Sequence, residues 1–244
     1  MQERKRALVT GSSRGIGRAL ALGLAQDGFE IIIHCAANME KAEETKALIE
    51  GNGGRAKVVV GDLCDNMIAE RIMETVGNVD ALILNASLQI AKSWREISYE
   101  DYQRQMNCNF FASLQLIQLA VPYMQAASWG RIITIGSVQE RKPHPNMLIY
   151  SASKAAQTNM VQSLALQLAK DGITVNNIAP GVIYTDRNVE ALSNSAYAAQ
   201  VTATIPVGYY GEPGDCTGIV RLLCSDAGRY ITGQSIYVDG GKGL

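Results

Sequence analysis

A tyrosine and a lysine spaced one helical turn apart, Tyr150 and Lys154, form a pair that can move a proton. A free phenol titrates near pH ~10, too high to release a proton readily at neutral pH. An ammonium beside it favours the phenolate and lowers that value, toward the range that suits general acid–base work. At i and i+4 on a helix the two side chains share one face. The YxxxK spacing alone arises often by chance. Two further features lie at compatible places: Ser137 closes an apolar run thirteen residues before Tyr150, and Gly11, Gly15 and Gly17 close another run far upstream. Glycines at a strand-to-helix turn allow a tight reversal, a close backbone approach to a pyrophosphate and tight helix–strand packing. The helix that follows offers free N–H donors and the positive end of its dipole.

These residues need a scaffold that brings distant segments together. Short β-branched runs at 7–10, 30–34, 56–60, 79–84, 131–135, 173–178 and 235–238 alternate with amphipathic stretches at 15–27, 39–50, 101–124 and 155–170. Most of the runs lack polar/apolar alternation, as strands covered on both faces do. Strand, helix, strand at this rhythm predicts a doubly wound α/β domain of about seven parallel strands with helices on both faces. Ligands bind beyond the carboxyl ends of such strands. The glycine turn, Gly61-Asp62-Leu63, Asn85-Ala86-Ser87, Gly136-Ser137 and Ala179-Pro180-Gly181 each follow an apolar run, where functional residues belong.

The glycine spacing is TGxxxGxG, and with it the chain resembles the short-chain dehydrogenase/reductase family from Thr10 to the closing Asp239-Gly240-Gly241. The resemblance implies a Rossmann-type fold and hydride transfer between a nicotinamide cofactor and a carbonyl or secondary alcohol. It assigns the cofactor to Gly11, Ser12, Ser13, Arg14, Gly15, Ile16 and Gly17, to Asp62 (on the adenine) and Leu63, to Asn85 and Ala86, and to Tyr150 and Lys154. In the loop after the sixth run it adds Pro180, Gly181, Ile183 and Thr185, the last two against the nicotinamide carboxamide. Tyr150 would exchange a proton with the substrate oxygen, Ser137 would hydrogen-bond that oxygen, and Lys154 would also hold the ribose hydroxyls. An asparagine in the central helix would support a water-mediated proton relay. Of Asn107 and Asn109, the second stands fifteen residues before Met124, as the family pattern requires. The family's Asn-Asn-Ala-Gly reads here Leu84-Asn85-Ala86-Ser87.

The end of the second run, His34-Cys35-Ala36-Ala37-Asn38, carries no carboxylate to bind a ribose diol and repel an extra phosphate. Arg14 can fork onto a 2′-phosphate, and His34 could assist. No second basic residue stands near Ala36 or Ala37, so NADP is favoured and NAD stays open. Between Ser137 and Tyr150, the residues Gln139, Glu140, His144 and Asn146 supply polar groups. A polyhydroxylated substrate needs such partners, and Ser137-Val138-Gln139-Glu140 resembles the corresponding segment of short-chain glucose dehydrogenases. Substrate contacts are therefore expected from Ser137, Gln139, Glu140 and Tyr150, on a sugar-like or other polar hydroxy or keto compound. The segment 187–206 reads as a lid over the site. Carrier-protein reductases of the family dock an acidic partner with basic residues before the fifth and sixth strands. Those positions read Gln125-Ala126-Ala127-Ser128-Trp129 and Lys170-Asp171-Gly172, which weakens a 3-oxoacyl-carrier-protein reductase as the alternative. A cofactor-binding module without turnover is the alternative of another class, opposed by the intact Ser137, Tyr150 and Lys154.

The 244 residues are 47% hydrophobic, with 22 Lys plus Arg against 23 Asp plus Glu and a net charge of −1. Disorder does not fit, nor does a strongly basic nucleic-acid binder. Interleaved cofactor and catalytic residues argue for one domain over 1–244. Five scattered cysteines read as buried small hydrophobes, and two distant histidines, His34 and His144, give no metal site. The opening Met1-Gln2-Glu3-Arg4-Lys5-Arg6 leads into an apolar run too short for a signal peptide or a membrane span, so a cytoplasmic protein is expected. The apolar surplus of 101–124 and 155–170 suggests helix-to-helix subunit contacts, and the resemblance implies a homotetramer.

Overall fold

Each apolar run becomes a strand. In the computed structural model, which describes residues 4–186 and 188–244, the strands are β1 (Arg6–Val9), β2 (Glu30–Cys35), β3 (Arg55–Val60), β4 (Ala81–Leu84), β5 (Gly130–Ile135), β6 (Ile173–Pro180) and β7 (Ser235–Val238). Met1, Gln2 and Glu3, and Arg187 at the start of the expected lid, lie outside the described residues. The seven strands form one sheet in the order β3-β2-β1-β4-β5-β6-β7, every pair parallel. Strand order reverses between β1 and β4, which opens a crevice at their carboxyl ends.

Successive side chains on a strand point to opposite faces, so each central strand feeds two cores. Leu8 of β1 and Leu82 and Leu84 of β4 pack with α3 (Ile68–Val76), α5 (Ala112–Ala126) and α6 (Leu148–Leu168). Ala7 and Val9, with Ala81 and Ile83, pack on the other side with α1 (Gly15–Gln26), α2 (Met39–Gly51) and α9 (Thr217–Cys224). Burial on both faces is why these strands read as unbroken apolar runs.

Two helical expectations change in detail. The stretch 101–124 is not one helix. It comprises α4 (Tyr99–Met106), a π-helical turn (Asn107–Phe111) and then α5. Ser98 and Asp101 start α4 with a capping box, and Lys92 and Ser98 hold the Asp101 carboxyl down at about 2. The stretch 155–170 begins earlier, at Leu148, so Tyr150 and Lys154 both stand inside the first turns of α6. The helices α3 and α9, of nine and eight residues, fall outside the amphipathic stretches singled out above. The lid segment carries α7 (Val189–Ser193) and α8 (Ser195–Ala203).

Candidate active site

A cleft of about 1040 Å³ runs along the carboxyl ends of the strands. Its wall contains Gly11, Ser13, Arg14, Gly15, Ile16 and Gly17, then Asp62 and Leu63 after β3, and Asn85 and Ala86 after β4. Farther along come Ser137 and Gln139 after β5, Tyr150 on α6, Pro180 at the end of β6, and Gly181, Ile183 and Thr185 after it.

The glycine turn is built by necessity of space. Gly11 and Gly15 hold φ of +63° and +56°, a region where a side chain is strained. A Cβ on Gly17 would lie 2.4 Å from the Gly11 oxygen and 2.5 Å from Asn85 Nδ2. Asn85 Nδ2 donates to the carbonyls of Thr10 (2.9 Å) and Gly11 (3.1 Å), while Thr10 Oγ1 accepts from the backbone N–H of Asn85 and Ala86. Asn85 thus fastens the loop after β4 to the glycine turn. Arg14, the residue before α1, is extended, its side chain makes no cap, and the first turn has no carboxylate. A helix start without its own cap or counter-charge fits a diphosphate.

Ser12 departs from its expected place. Its hydroxyl donates to the Val9 carbonyl at 2.7 Å and accepts from His34 N at 3.2 Å, so it is spent inside the sheet and is absent from the cleft wall. His34 is also committed. Its Nδ1 accepts from Gly11 N at 3.1 Å and its Nε2 pairs with the Gly61 carbonyl at 2.9 Å. Burial pushes its pKa down to about 4, so at neutral pH it is an uncharged strut and no cation for a phosphate.

The second cation absent near Ala36 and Ala37 comes from α2. Lys41 Nζ lies 3.1 Å from Asp186 Oδ2, and Arg14 Nη1 lies 3.6 Å from the same oxygen. The hydrogen bond from Lys41 holds the Asp186 carboxyl below its usual range. Lys41 escaped the sequence reading because a side chain on the first turn of the next helix reaches back over the strand end.

At the other end, Ser137 and Tyr150 are 8% and 6% exposed. Ser137 Oγ accepts from Gln139 N at 3.1 Å. Lys154, 1% exposed, places Nζ 5.7 Å from the centroid of the Tyr150 ring. It is absent from the cleft wall, and its ammonium donates to the Ile135 carbonyl at 2.8 Å and Gln157 Oε1 at 3.0 Å. Gln157 is fully buried, and its Nε2 donates to Ser113 Oγ at 3.1 Å, which donates at 3.4 Å to the carbonyl of Asn109. Asn109 sits in the π-helical turn, outside the cleft wall. Its Oδ1 accepts from Leu88 N at 2.7 Å, and its Nδ2 donates to the Leu88 carbonyl and to Ser153 Oγ, both at 2.9 Å. Ser153 in turn donates to the Tyr150 carbonyl at 2.7 Å. Gln157, Ser113 and Ser153 were not singled out by any motif. The available signal was a glutamine one turn after Lys154 on a helix face that must be buried.

Glu140 is a correction. Its carboxylate accepts from Ser235 Oγ (2.6 Å), Thr158 Oγ1 (2.8 Å), Tyr237 OH (3.0 Å) and Asn177 Nδ2 (3.0 Å), and it does not line the cleft. The 3-10 turn Val138–Glu140 brings it to partners on α6, β6 and β7. Gln139 and His144 do line the cleft. Of the cysteines, Cys64 is only half-buried and stands in the cleft wall beside Cys108. A hydrogen bond from Cys108 lowers its pKa. Among the described residues no group of His, Cys, Asp and Glu forms a metal site.

The short chain dehydrogenase family model matches residues 5–196. The chain is 35% identical to a 3-oxoacyl-acyl-carrier-protein reductase FabG of Staphylococcus aureus, over 99% of this chain and 99% of that protein. Among solved structures it is similar to a 3-oxoacyl-acyl-carrier-protein reductase from Agrobacterium tumefaciens C58 with NADP bound, at TM-score 0.91 and 35% identity, covering 97% of this chain and 93% of that one. It is also similar to a protein assigned as a gluconate dehydrogenase from the same species, at TM-score 0.92 and 32% identity, covering 98% and 96%.

Proposed function

The chain belongs to the short-chain dehydrogenase family, and from that membership we propose how its cleft performs the chemistry. The protein is an NAD(P)-dependent oxidoreductase acting on hydroxy and keto groups. The observation that carries the assignment of residues is one cleft holding the open helix start of α1 at one end and the buried Ser137–Tyr150 pair at the other. When bound, the nicotinamide supplies the hydride in reduction and takes it in oxidation. In reduction Tyr150 gives its phenolic proton to the substrate oxygen. Ser137, whose Oγ already accepts from Gln139 N, donates its own O–H to that oxygen and stabilises charge there. The Lys154 ammonium stabilises the phenolate left behind. In oxidation the same residues run in reverse. Asn109 acts on the site through Leu88 and Ser153, which fix the loop after β4 and the first turn of α6.

NADP is the preferred cofactor in this reading, supported by the NADP-bound relative and by Arg14 and Lys41 converging beside the cleft. The substrate is a polar, sugar-like hydroxy or keto compound, supported by Gln139 and His144 in the wall and by the similarity to the protein assigned as a gluconate dehydrogenase. The 3-oxoacyl reading draws on the two carrier-protein reductases, but at the expected docking positions Gln125 Nε2 binds Asp171 Oδ2 at 2.6 Å, which offers an acidic protein no pair of cations. We further propose one domain over 1–244, a cytoplasmic location and a homotetramer. No helix among the described residues is long and apolar enough to cross a membrane. Phe111, Leu119 and Leu166 are exposed apolar side chains on the two stretches expected to meet another subunit. NADPH consumption with a panel of ketones and aldoses tests the reading. Tyr150→Phe should lower turnover at least ~100-fold with the fold intact, and retained activity would sink the mechanism.

A further inference from the structure

Cys64 and Cys108 belong to different elements, and packing brings both to one part of the cleft wall. Cys64 follows Asp62 and Leu63 after β3, and Cys108 sits in the π-helical turn. Cys64 Sγ lies 3.8 Å from the carbonyl oxygen of Arg104, one helical turn before Cys108. Asn107, the residue before Cys108, donates from Nδ2 to the Cys64 carbonyl at 3.4 Å. Cys64 also packs against the core cluster that contains Cys108, whose thiol hydrogen-bonds to the Cys64 sulfur.

The two sulfurs differ as a reactive pair requires. The hydrogen bond from Cys108 lowers the pKa of Cys64, and the Arg104 guanidinium in the cleft wall acts in the same direction, while burial and Asp62 oppose it. The same hydrogen bond, with burial, raises the pKa of Cys108. Cys64 is half-buried, whereas Cys108 is only 8% exposed. An accessible sulfur that ionises first, beside a thiol that stays protonated, is the arrangement of an attacking and a resolving cysteine. Cys35, Cys216 and Cys224 are buried, and burial raises the pKa of each. Hydride transfer uses none of the five.

We propose that Cys64 and Cys108 are a peroxide-sensitive pair that closes a reversible disulfide at the adenine end of the cleft. The Cys64 thiolate attacks one oxygen of hydrogen peroxide and becomes a sulfenic acid. The hydroxide released takes up the proton that Cys64 had lost. The Cys108 sulfur then attacks the Cys64 sulfur, and its proton leaves with the displaced hydroxide as a second water. Two thiols and one peroxide thus give one disulfide and two waters, the sulfurs losing the two electrons that peroxide gains. In the cytoplasmic location proposed above, such a bond is transient and regulatory.

The bond ties the loop after β3 to the π-helical turn. Cys64 N donates to Asp62 Oδ1 at 3.0 Å, so moving Cys64 moves the carboxylate assigned to the adenine. The residue after Cys108 is Asn109, which fixes Leu88 and Ser153. Oxidation and cofactor binding therefore oppose each other, each weakening the other by the same factor. This consequence rests on the cofactor assignment proposed above, whereas the disulfide itself does not.

The test treats the whole reduced enzyme with a few equivalents of hydrogen peroxide and maps its alkylated peptides by mass spectrometry. A linked Cys64–Cys108 peptide should form, and the thiols counted after unfolding should fall by two from the five of the reduced chain. Dithiothreitol should reverse both changes. Cys108→Ser should leave Cys64 as a sulfenic acid that dimedone traps, and Cys64→Ser should leave Cys108 unmodified. NADPH fluorescence should show binding at least ~10-fold weaker in the oxidised protein than in the reduced one. NADPH bound beforehand should slow formation of the linked peptide. Absence of that peptide from the oxidised wild-type protein, or a linkage through other cysteines, overturns the pair. A linked protein that binds NADPH as tightly as the reduced protein overturns the opposition to the cofactor. A reduced protein that binds no NADPH, yet forms the linked peptide, removes the cofactor assignment and leaves the pair standing.

Discussion

Glu140 stands three residues after Ser137, and from spacing alone it belongs among the substrate contacts. Its carboxylate instead accepts from four side chains on α6, β6 and β7. Removing it takes the acceptor from the half-buried Ser235 and Tyr237 hydroxyls, which costs about 1–3 kcal/mol. Glu140→Ala should therefore lower the midpoint of thermal unfolding and leave KM nearly unchanged. A raised KM with an unchanged midpoint would restore it to the substrate. Gln157 poses the opposite case, a residue no motif marks that touches the ammonium behind Tyr150. Gln157→Leu removes one hydrogen bond to a charged group, worth ~1.5–3 kcal/mol. We expect kcat to fall about tenfold or more and the acid limb of the oxidation profile to move to higher pH, because a less firmly held Lys154 favours the phenolate less. An unmoved pH profile would reduce Gln157 to a packing residue. Tyr150, Lys154, Ser137 and the glycines were legible because their chemistry depends on type and spacing. Gln157, Lys41 and the true role of Glu140 were not, since each depends on which segment packs beside it.

The glycine turn and the ends of β2 and β3 behave as one element, tied by His34 between Gly11 and Gly61. The folded-state pKa of about 4 lies below the ordinary 6.5, so the unfolded chain takes up the proton first. Stability is therefore full above pH 6.5, falls as pH drops through the window down to about 4, and levels off below it. The loss should reach roughly 3 kcal/mol, read as a fall in unfolding free energy over that window that His34→Gln flattens. A wild-type curve no steeper than that of the variant would contradict the strut. The close approach at Gly17 makes a second prediction. Gly17→Ala puts a methyl against Gly11 and Asn85, so NADPH affinity should drop at least ~10-fold with the fold intact by circular dichroism. Elements with long apolar runs were readable because burial on both faces leaves no polar alternation. The π-helical turn was not. Its extra residue changes where Cys108 and Asn109 point while the hydrophobic pattern stays continuous.

At the scale of the molecule, Leu166 is 87% exposed on α6 and lies on the same helix as Tyr150 and Lys154. In the homotetramer we propose, a like chain would cover this side chain. Leu166→Lys should shift the protein to smaller species in light scattering and lower its thermal stability. A monomeric wild-type protein would refute the tetramer outright. Cofactor choice also belongs to this scale, because Arg14, Lys41 and Asp186 come from three separate segments. Lys41→Ala should weaken NADP binding about tenfold and leave NAD unaffected, whereas equal losses for both would remove Lys41 from the 2′-phosphate.

Taken by itself, the sequence predicted the parallel sheet, the glycine turn at its carboxyl end and the nearness of Ser137, Tyr150 and Lys154. Each rests on local pattern: apolar runs that both faces bury, glycines where a Cβ has no room, and two side chains one helical turn apart. Tertiary structure alone decided which polar groups face the cleft. Ser12, His34 and Glu140 turned inward to satisfy buried backbone and side-chain partners, while Lys41 on α2 came to Asp186 beside the cleft. A buried polar group must find a hydrogen bond wherever the packing supplies one, and spacing along the chain carries no record of that choice.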